Sequence, residues 1–269
     1  MPSHLWFLLA AVVLVGCKPF TVETPESETA PPPAPAVFMV RFGPDLLVPL
    51  GCVSDLGAPF ETGRDCATLV PKGDSISVSD LGEVKSKGTF QARCEADGSG
   101  TAAVGILPLV AEPLSWPEAP AFAWWPMAAA GAPGAPKSFA PTSQQLQRLT
   151  ELASQKAGDA LGELMVRQAI ELDLNGDGRA ERIYSLTWGE ELGGAWAWSA
   201  LLLQAQGSDE LRIIYESQHE LFEVLAHVDL DRDGQREIWT RLIGGERESD
   251  QLESWDGDKV SVIGRWSCE

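Results

Sequence analysis

Basic residues are scarce: 20 Lys and Arg stand against 39 Asp and Glu, giving a formal net charge of −19 and a pI near 4.5. Binding nucleic acid or anionic headgroups through charge needs Lys and Arg facing phosphate, so the composition excludes those partners. Histidine is scarcer still. Only His219 and His227 lie beyond the N-terminal segment, which argues against zinc, a metal that takes histidines or close cysteine pairs. The apolar run from Leu5 to Val15 is too short to cross a bilayer as a helix. Catalytic signatures are missing too. Ser217 can be written into a triad with His219 or His227 and a nearby Asp, but no nucleophile elbow surrounds it. Gly193-Gly194 precedes a strand and lacks the helix that a phosphate loop requires.

What is present begins with an export signal over residues 1–16, ending in Leu14-Val15-Gly16-Cys17. That ending resembles the lipobox of bacterial lipoproteins. The resemblance implies cleavage before Cys17, with diacylglycerol on its sulfur and an acylated new amino group; several acyl chains anchor a protein stably where one is marginal. Lys18, being other than Asp, points in that family to the outer membrane or cell surface. Residues 17–36 hold the lipidated Cys17 and a spacer rich in Pro, Glu, Thr and Ala, with little to bury.

About 230 residues remain, enough for one large or two modest domains with a real core. Four cysteines follow Cys17, namely Cys52, Cys66, Cys94 and Cys268. In an exported chain an even number suggests two disulfides, with three pairings allowed. The favoured one joins Cys52 to Cys66 and leaves Cys94 for Cys268; the local bridge is worth roughly 3 kcal/mol in loop entropy. Residues 37–110 read as a small β domain of short apolar runs such as VFMVRF and LLVPLGCV, punctuated by Gly, Pro and Asp. Residues 111–140 read as a Pro/Ala/Trp-rich crossover. Its Trp116, Trp124 and Trp125 either pack it on a neighbouring sheet or form a platform for a sugar or peptide. One helix is expected within 141–160, capped by Thr142 or Ser143. Leu146, Leu149, Leu152 and Ala153 form its apolar stripe, and Gly158 ends it.

The last segment, 161–269, writes one pattern twice. DLNGDGRAE, Asp173 to Glu181, returns as DLDRDGQRE, Asp229 to Glu237, at an offset of 229 − 173 = 56 residues. Oxygen side chains at alternate positions around a sharp glycine turn suit a hard cation such as calcium. Strand-type residues flank both loops. Val166, Gln168, Ile170 and Leu172 are expected to share one face before the first; Phe222, Val224, Ala226, Val228 and Leu230 before the second. Hairpins follow across Gln206 to Asp209 and across Asp256-Gly257-Asp258. The twelfth loop positions are Tyr184 and Thr240, which excludes an EF-hand with its bidentate Glu and following helix.

This segment resembles the FG-GAP or VCBS-type repeats of integrin-like propeller blades and bacterial surface proteins. Neither repeat has the Phe-Gly upstream or the Gly-Ala-Pro downstream that name the former. Carried over by position, the resemblance implies ligands Asp173, Asn175, Asp177 and Glu181 in one site and Asp229, Asp231, Asp233 and Glu237 in the other. The backbone carbonyls of Arg179 and Gln235 complete the two sets. The second site is favoured, with four carboxylates against three. Two units cannot close a propeller. The expected fold is therefore mainly β: a small disulfide-containing β domain plus a partial propeller-like pair of β repeat units, with one bracing helix. The expected function is that of a lipid-anchored, calcium-binding envelope protein, a non-enzymatic binding or adhesion module for a protein or polysaccharide. Its rival is a calcium-dependent hydrolase of envelope or extracellular polysaccharide, which requires carboxylates and tryptophans converging in one cleft outside the loops.

Overall fold

Runs of Val, Ile, Leu, Phe and Trp, broken by Gly, Pro and Asp turns, fold almost entirely as strands. A computed structural model describes residues 35–55, 57–93, 100–109, 114–127, 133–158, 160–189, 195–244, 247–256 and 259–267. The export signal, Cys17 and the spacer up to residue 34, together with Cys94, Cys268 and Gly193-Gly194, lie outside the described residues.

Six strands close an antiparallel barrel: β1 (Ala36–Phe42), β2 (Leu46–Val53), β3 (Ser75–Val78), β4 (Gly82–Arg93), β5 (Gly100–Pro108) and β6 (Phe122–Trp125), in the order β1-β2-β5-β4-β3-β6. The barrel therefore runs past residue 110. FAWW, expected as part of a crossover, pairs with β1 and β3 and closes the cylinder. A second helix, α1 (Arg64–Leu69), was not expected; six residues carry too little periodicity to announce it. The expected Cys52–Cys66 disulfide ties this helix to β2, and both cysteines sit in the barrel core with Val37, Met39 and Ile76.

A two-residue strand, β7 (Lys137–Ser138), leads into α2 (Ser143–Ala157). The Thr142 hydroxyl accepts from the Gln145 backbone N–H, the Gln145 side chain returns the bond to Thr142 N–H, and Gly158 stands at the C-cap. The Gln145 amide also donates to the hydroxyl of buried Tyr184 at 3.1 Å, so the cap locks the helix to the sheet beneath.

Two four-stranded antiparallel meanders follow. Sheet one is built from β8 (Leu164–Leu172), β9 (Glu181–Trp188), β10 (Trp198–Gln204) and β11 (Arg212–Ser217), with β7 added beside β8. Sheet two is built from β12 (Leu221–Val228), β13 (Glu237–Gly244), β14 (Arg247–Trp255) and β15 (Val260–Ser267). The meanders correspond strand for strand, and both expected hairpins are present.

The stacking order is barrel, sheet two, sheet one, α2. Phe38, Val40, Val48 and Leu50 of the barrel pack on Ala226, Val228, Trp239 and Leu252 of sheet two. The opposite face of sheet two, with Phe222, Val224 and Ile238, packs on Ile170, Leu172, Leu201 and Leu203 of sheet one. Leu149 and Ala153 of α2 cover the far side of sheet one over Tyr184, Leu186 and Trp198. Sheet two is thus apolar on both faces, as a central layer must be. Gly264 permits the tightest approach: a Cβ there would lie 1.8 Å from the Leu50 carbonyl oxygen of β2.

The expected faces of β8 and β12 are corrected by a bulge in each strand, between Val166 and Gln168 and between Val224 and Ala226. An extra residue reverses which way the following side chains point. Phe222 and Val224 therefore face sheet one while Ala226, Val228 and Leu230 face the barrel. Likewise Val166 packs with the α2 cluster, whereas Ile170 and Leu172 join the inter-sheet core.

Candidate metal-binding loops

Both DxxxD-type loops connect the first two strands of their sheet and are pinched at the same register. Leu172 pairs with Glu181 and Val228 pairs with Glu237. Within each loop the alternating Asx side chains accept from backbone N–H groups further along, which winds the chain into consecutive Asx turns. Asn175 Oδ1 accepts from Asp177 N at 3.0 Å and Asp231 Oδ1 from Asp233 N at 3.2 Å. Asp177 Oδ1 accepts from Arg179 N and Asp233 Oδ1 from Gln235 N, both at 2.7 Å. Asp173 Oδ2 accepts from Gly178 N at 2.9 Å and Asp229 Oδ1 from Gly234 N at 3.4 Å. Each of these three backbone-to-side-chain bonds in one loop has its counterpart 56 residues away. The backbone repeats as well: Gly178 and Gly234 are left-handed, and so are Gly176 and its counterpart Arg232, whose φ is 62°.

The position-nine glutamates are buried, and each turns one oxygen inward to the backbone. Glu181 Oε2 accepts from Leu174 N at 2.9 Å and Glu237 Oε2 from Leu230 N at 2.7 Å. Burial, only partly offset by these bonds, raises Glu181 above the usual carboxylate range and pushes Glu237 up to about 8. Asp231 is also raised, by burial first and then by its acidic neighbours Asp233 and Asp229.

In the second loop, oxygens of Asp229, Asp231 and Asp233 all come within 4.8 Å of one another. In the first, Asn175 replaces the middle carboxylate, while Asp173 Oδ1 is buried with no hydrogen-bond partner among the described residues. An orphaned buried carboxylate oxygen and a set of oxygen-only donors both fit a hard cation. The loops also touch. Arg236 N donates to Leu174 O at 2.7 Å, and a Cβ on Gly176 would lie 2.2 Å from Gly234 O.

The other residues singled out from the sequence lie elsewhere. Trp125 is buried in the barrel core and Trp124 stands beside Phe122 in β6. Trp116 is 64% exposed. Ser217 Oγ accepts from the backbone N–H groups of His219 and Glu220, forming a turn. His227 pairs through its backbone with Gly134, and burial, aided by Arg236, lowers its imidazole pKa. Gln168, expected only as a strand residue, bonds both backbone groups of Val224 through its carboxamide, a contact across 56 residues that local sequence does not signal.

No protein-family model, curated protein or solved structure matches the chain. Among the described residues the protein is mainly β: a six-stranded antiparallel barrel, two open antiparallel sheets and two short helices.

Proposed function

We propose that this is a lipid-anchored cell-envelope protein of the outer membrane or cell surface, acting as a non-enzymatic binding module whose two β units are clasped by calcium. The observation that carries the reading is the pair of loops with the same hydrogen bonds at a spacing of 56 residues, resting on each other between two four-stranded meanders. Four antiparallel strands per unit also support describing the pair as a partial, open propeller.

In this reading Asp229, Asp231, Asp233 and the Gln235 carbonyl hold calcium in the second site, with Glu237 closing the loop. Asp173, Asn175, Asp177 and the Arg179 carbonyl do so in the first, with Glu181 in the same role. The ion supplies charge neutralisation, fixing carboxylates that otherwise repel one another. Calcium titration of the full chain, read by calorimetry and melting temperature, tests this. Stabilisation by calcium that is reduced by Asp177→Ala and by Asp233→Ala supports it; no heat and no rise in melting temperature sink it.

One observation favours the second reading, a calcium-dependent polysaccharide hydrolase: Glu118 and Glu248 line a cleft that also carries Trp116 and Trp266. Release of reducing ends from a polysaccharide, abolished by Glu248→Gln, would establish that reading instead.

A further inference from the structure

The geometry points to that cleft, about 520 Å³ between the barrel and sheet two, as a site for a neutral saccharide. The inference rests on the binding-module reading and names its ligand class. Its volume falls within the roughly 300–1,000 Å³ of small-molecule sites.

Trp116 is an exposed aromatic that is nonetheless held in place. Its benzo ring lies over Gly43, with three ring atoms at 3.4, 3.5 and 3.7 Å from the position of an added Cβ. Phe42 meets its ring edge-on at a centroid distance of 6.1 Å and meets Trp266 at 4.9 Å. The chain just ahead is fixed from below. Arg41, with a side chain 1% exposed, donates to the carbonyl of Ser115, to Pro44 O at 2.9 Å and to the carboxylate of Asp80. A platform fixed in advance loses little conformational freedom on binding.

The walls are polar and internally paired. Arg241 makes a two-pronged pair with Asp250, both bonds at 3.0 Å, and Asp250 also accepts from Trp239 Nε1 at 2.7 Å. Glu248 stands 3.5 Å from Arg241. Among the described residues Arg41 Nε is buried without an acceptor.

This combination selects among ligands. Arg41 and Arg241 are offset by Asp80, Asp250 and Glu248, with Glu118 in addition, so phosphate, sulfate or uronate would meet net negative charge. A purely apolar ligand would leave the rigid charged pairs desolvated without compensation. A pyranose offers what the site complements: an apolar C–H face for the indole, and neighbouring hydroxyls that both donate to carboxylates and accept from guanidinium.

The test uses the full chain in a polyoxyethylene detergent, since maltoside detergents carry sugar. Tryptophan fluorescence is followed on addition of maltotetraose, cellotetraose, mannotetraose or chitotetraose, with a galacturonate tetramer and tetralysine as counter-probes. The expected result is saturable quenching by at least one neutral tetramer, weakened about tenfold or more in Trp116→Ala and retained in Trp124→Phe. Trp116 is largely exposed, so its replacement leaves the core intact. No quenching by any neutral tetramer, equal binding by Trp116→Ala, or binding of tetralysine or galacturonate alone overturns the inference. The calcium shift in melting temperature is measured on the same sample. Its persistence with no saccharide binding removes this site alone, whereas its loss with saccharide binding intact removes the calcium reading alone.

Discussion

The backbone N–H of Arg236 in the second acidic loop donates to the carbonyl of Leu174 in the first, at 2.7 Å. Under the calcium reading, an ion that fixes one loop therefore fixes a backbone partner of the other. Asp233→Ala should abolish the second site and also weaken the first by about fivefold or more, a coupling near 1 kcal/mol. Two-site calorimetry of the full chain decides this; a residual site with unchanged affinity would show that the loops are independent.

Gly176 and Gly178 have the same left-handed backbone but different surroundings. A Cβ on Gly176 meets Gly234 O at 2.2 Å, whereas a Cβ on Gly178 meets nothing within 4 Å. Gly178→Ala should cost about 1 kcal/mol from backbone strain alone. Gly176→Ala, which must also push the loops apart, should cost roughly 2–3 kcal/mol. Urea midpoints of the two variants give the ranking.

The carboxamide of Gln168 accepts from Val224 N at 2.9 Å and donates to Val224 O at 2.8 Å, pairing backbone groups of β12, the edge strand of sheet two. Gln168→Leu leaves both groups unpaired and should destabilise by roughly 2–4 kcal/mol. Amide exchange should locate the damage: Val224 loses protection in the variant before the barrel strands do.

Glu253 is fully buried in sheet two. Gln251 donates to its Oε1, Oε2 is buried without a partner, and Tyr215 of sheet one lies beside it with Thr240. Burial pushes this carboxyl up to about 7 from its ordinary 4.5. The folded state thus holds a proton that the unfolded chain releases, so this contribution is greatest below pH 4.5 and is lost as pH rises through 7. The full effect is about 3 kcal/mol. Glu253→Gln should flatten that part of the profile and gain stability at pH 8. Glu237 acts in the same direction, so the readout is the difference between variant and parent across pH 4.5–8.

Local chemistry was readable from the chain. Thr142, Gln145 and Gly158 delimit α2 because capping uses residues within a few positions of each other. The Cys52–Cys66 bridge joins two near neighbours, and each acidic loop is complete within nine residues. What could not be read depends on distant pairing. Nothing in the alternation of LFEVLAHV says that a bulge at Leu225 sends Ala226 to the barrel instead of sheet one. Phe122 to Trp125 form β6 only because β1 and β3 lie on either side of them, and the proline-rich surroundings conceal it. The cleft was equally hidden: Trp116 was marked, but Arg41, Arg241 and Trp266, which give it chemical meaning, arrive from separate parts of the sequence.

Strand β1 is hydrogen-bonded on both flanks, to β2 from Ala36 to Phe42 and to β6 from Val37 to Val40. Ladder bonds in an antiparallel pair run across the strands. A pull along the chain from ahead of Ala36 therefore loads two ladders side by side in shear instead of peeling bonds away one at a time. Tension reaching the protein from its N-terminal side is thereby shared between two ladders of the barrel at once.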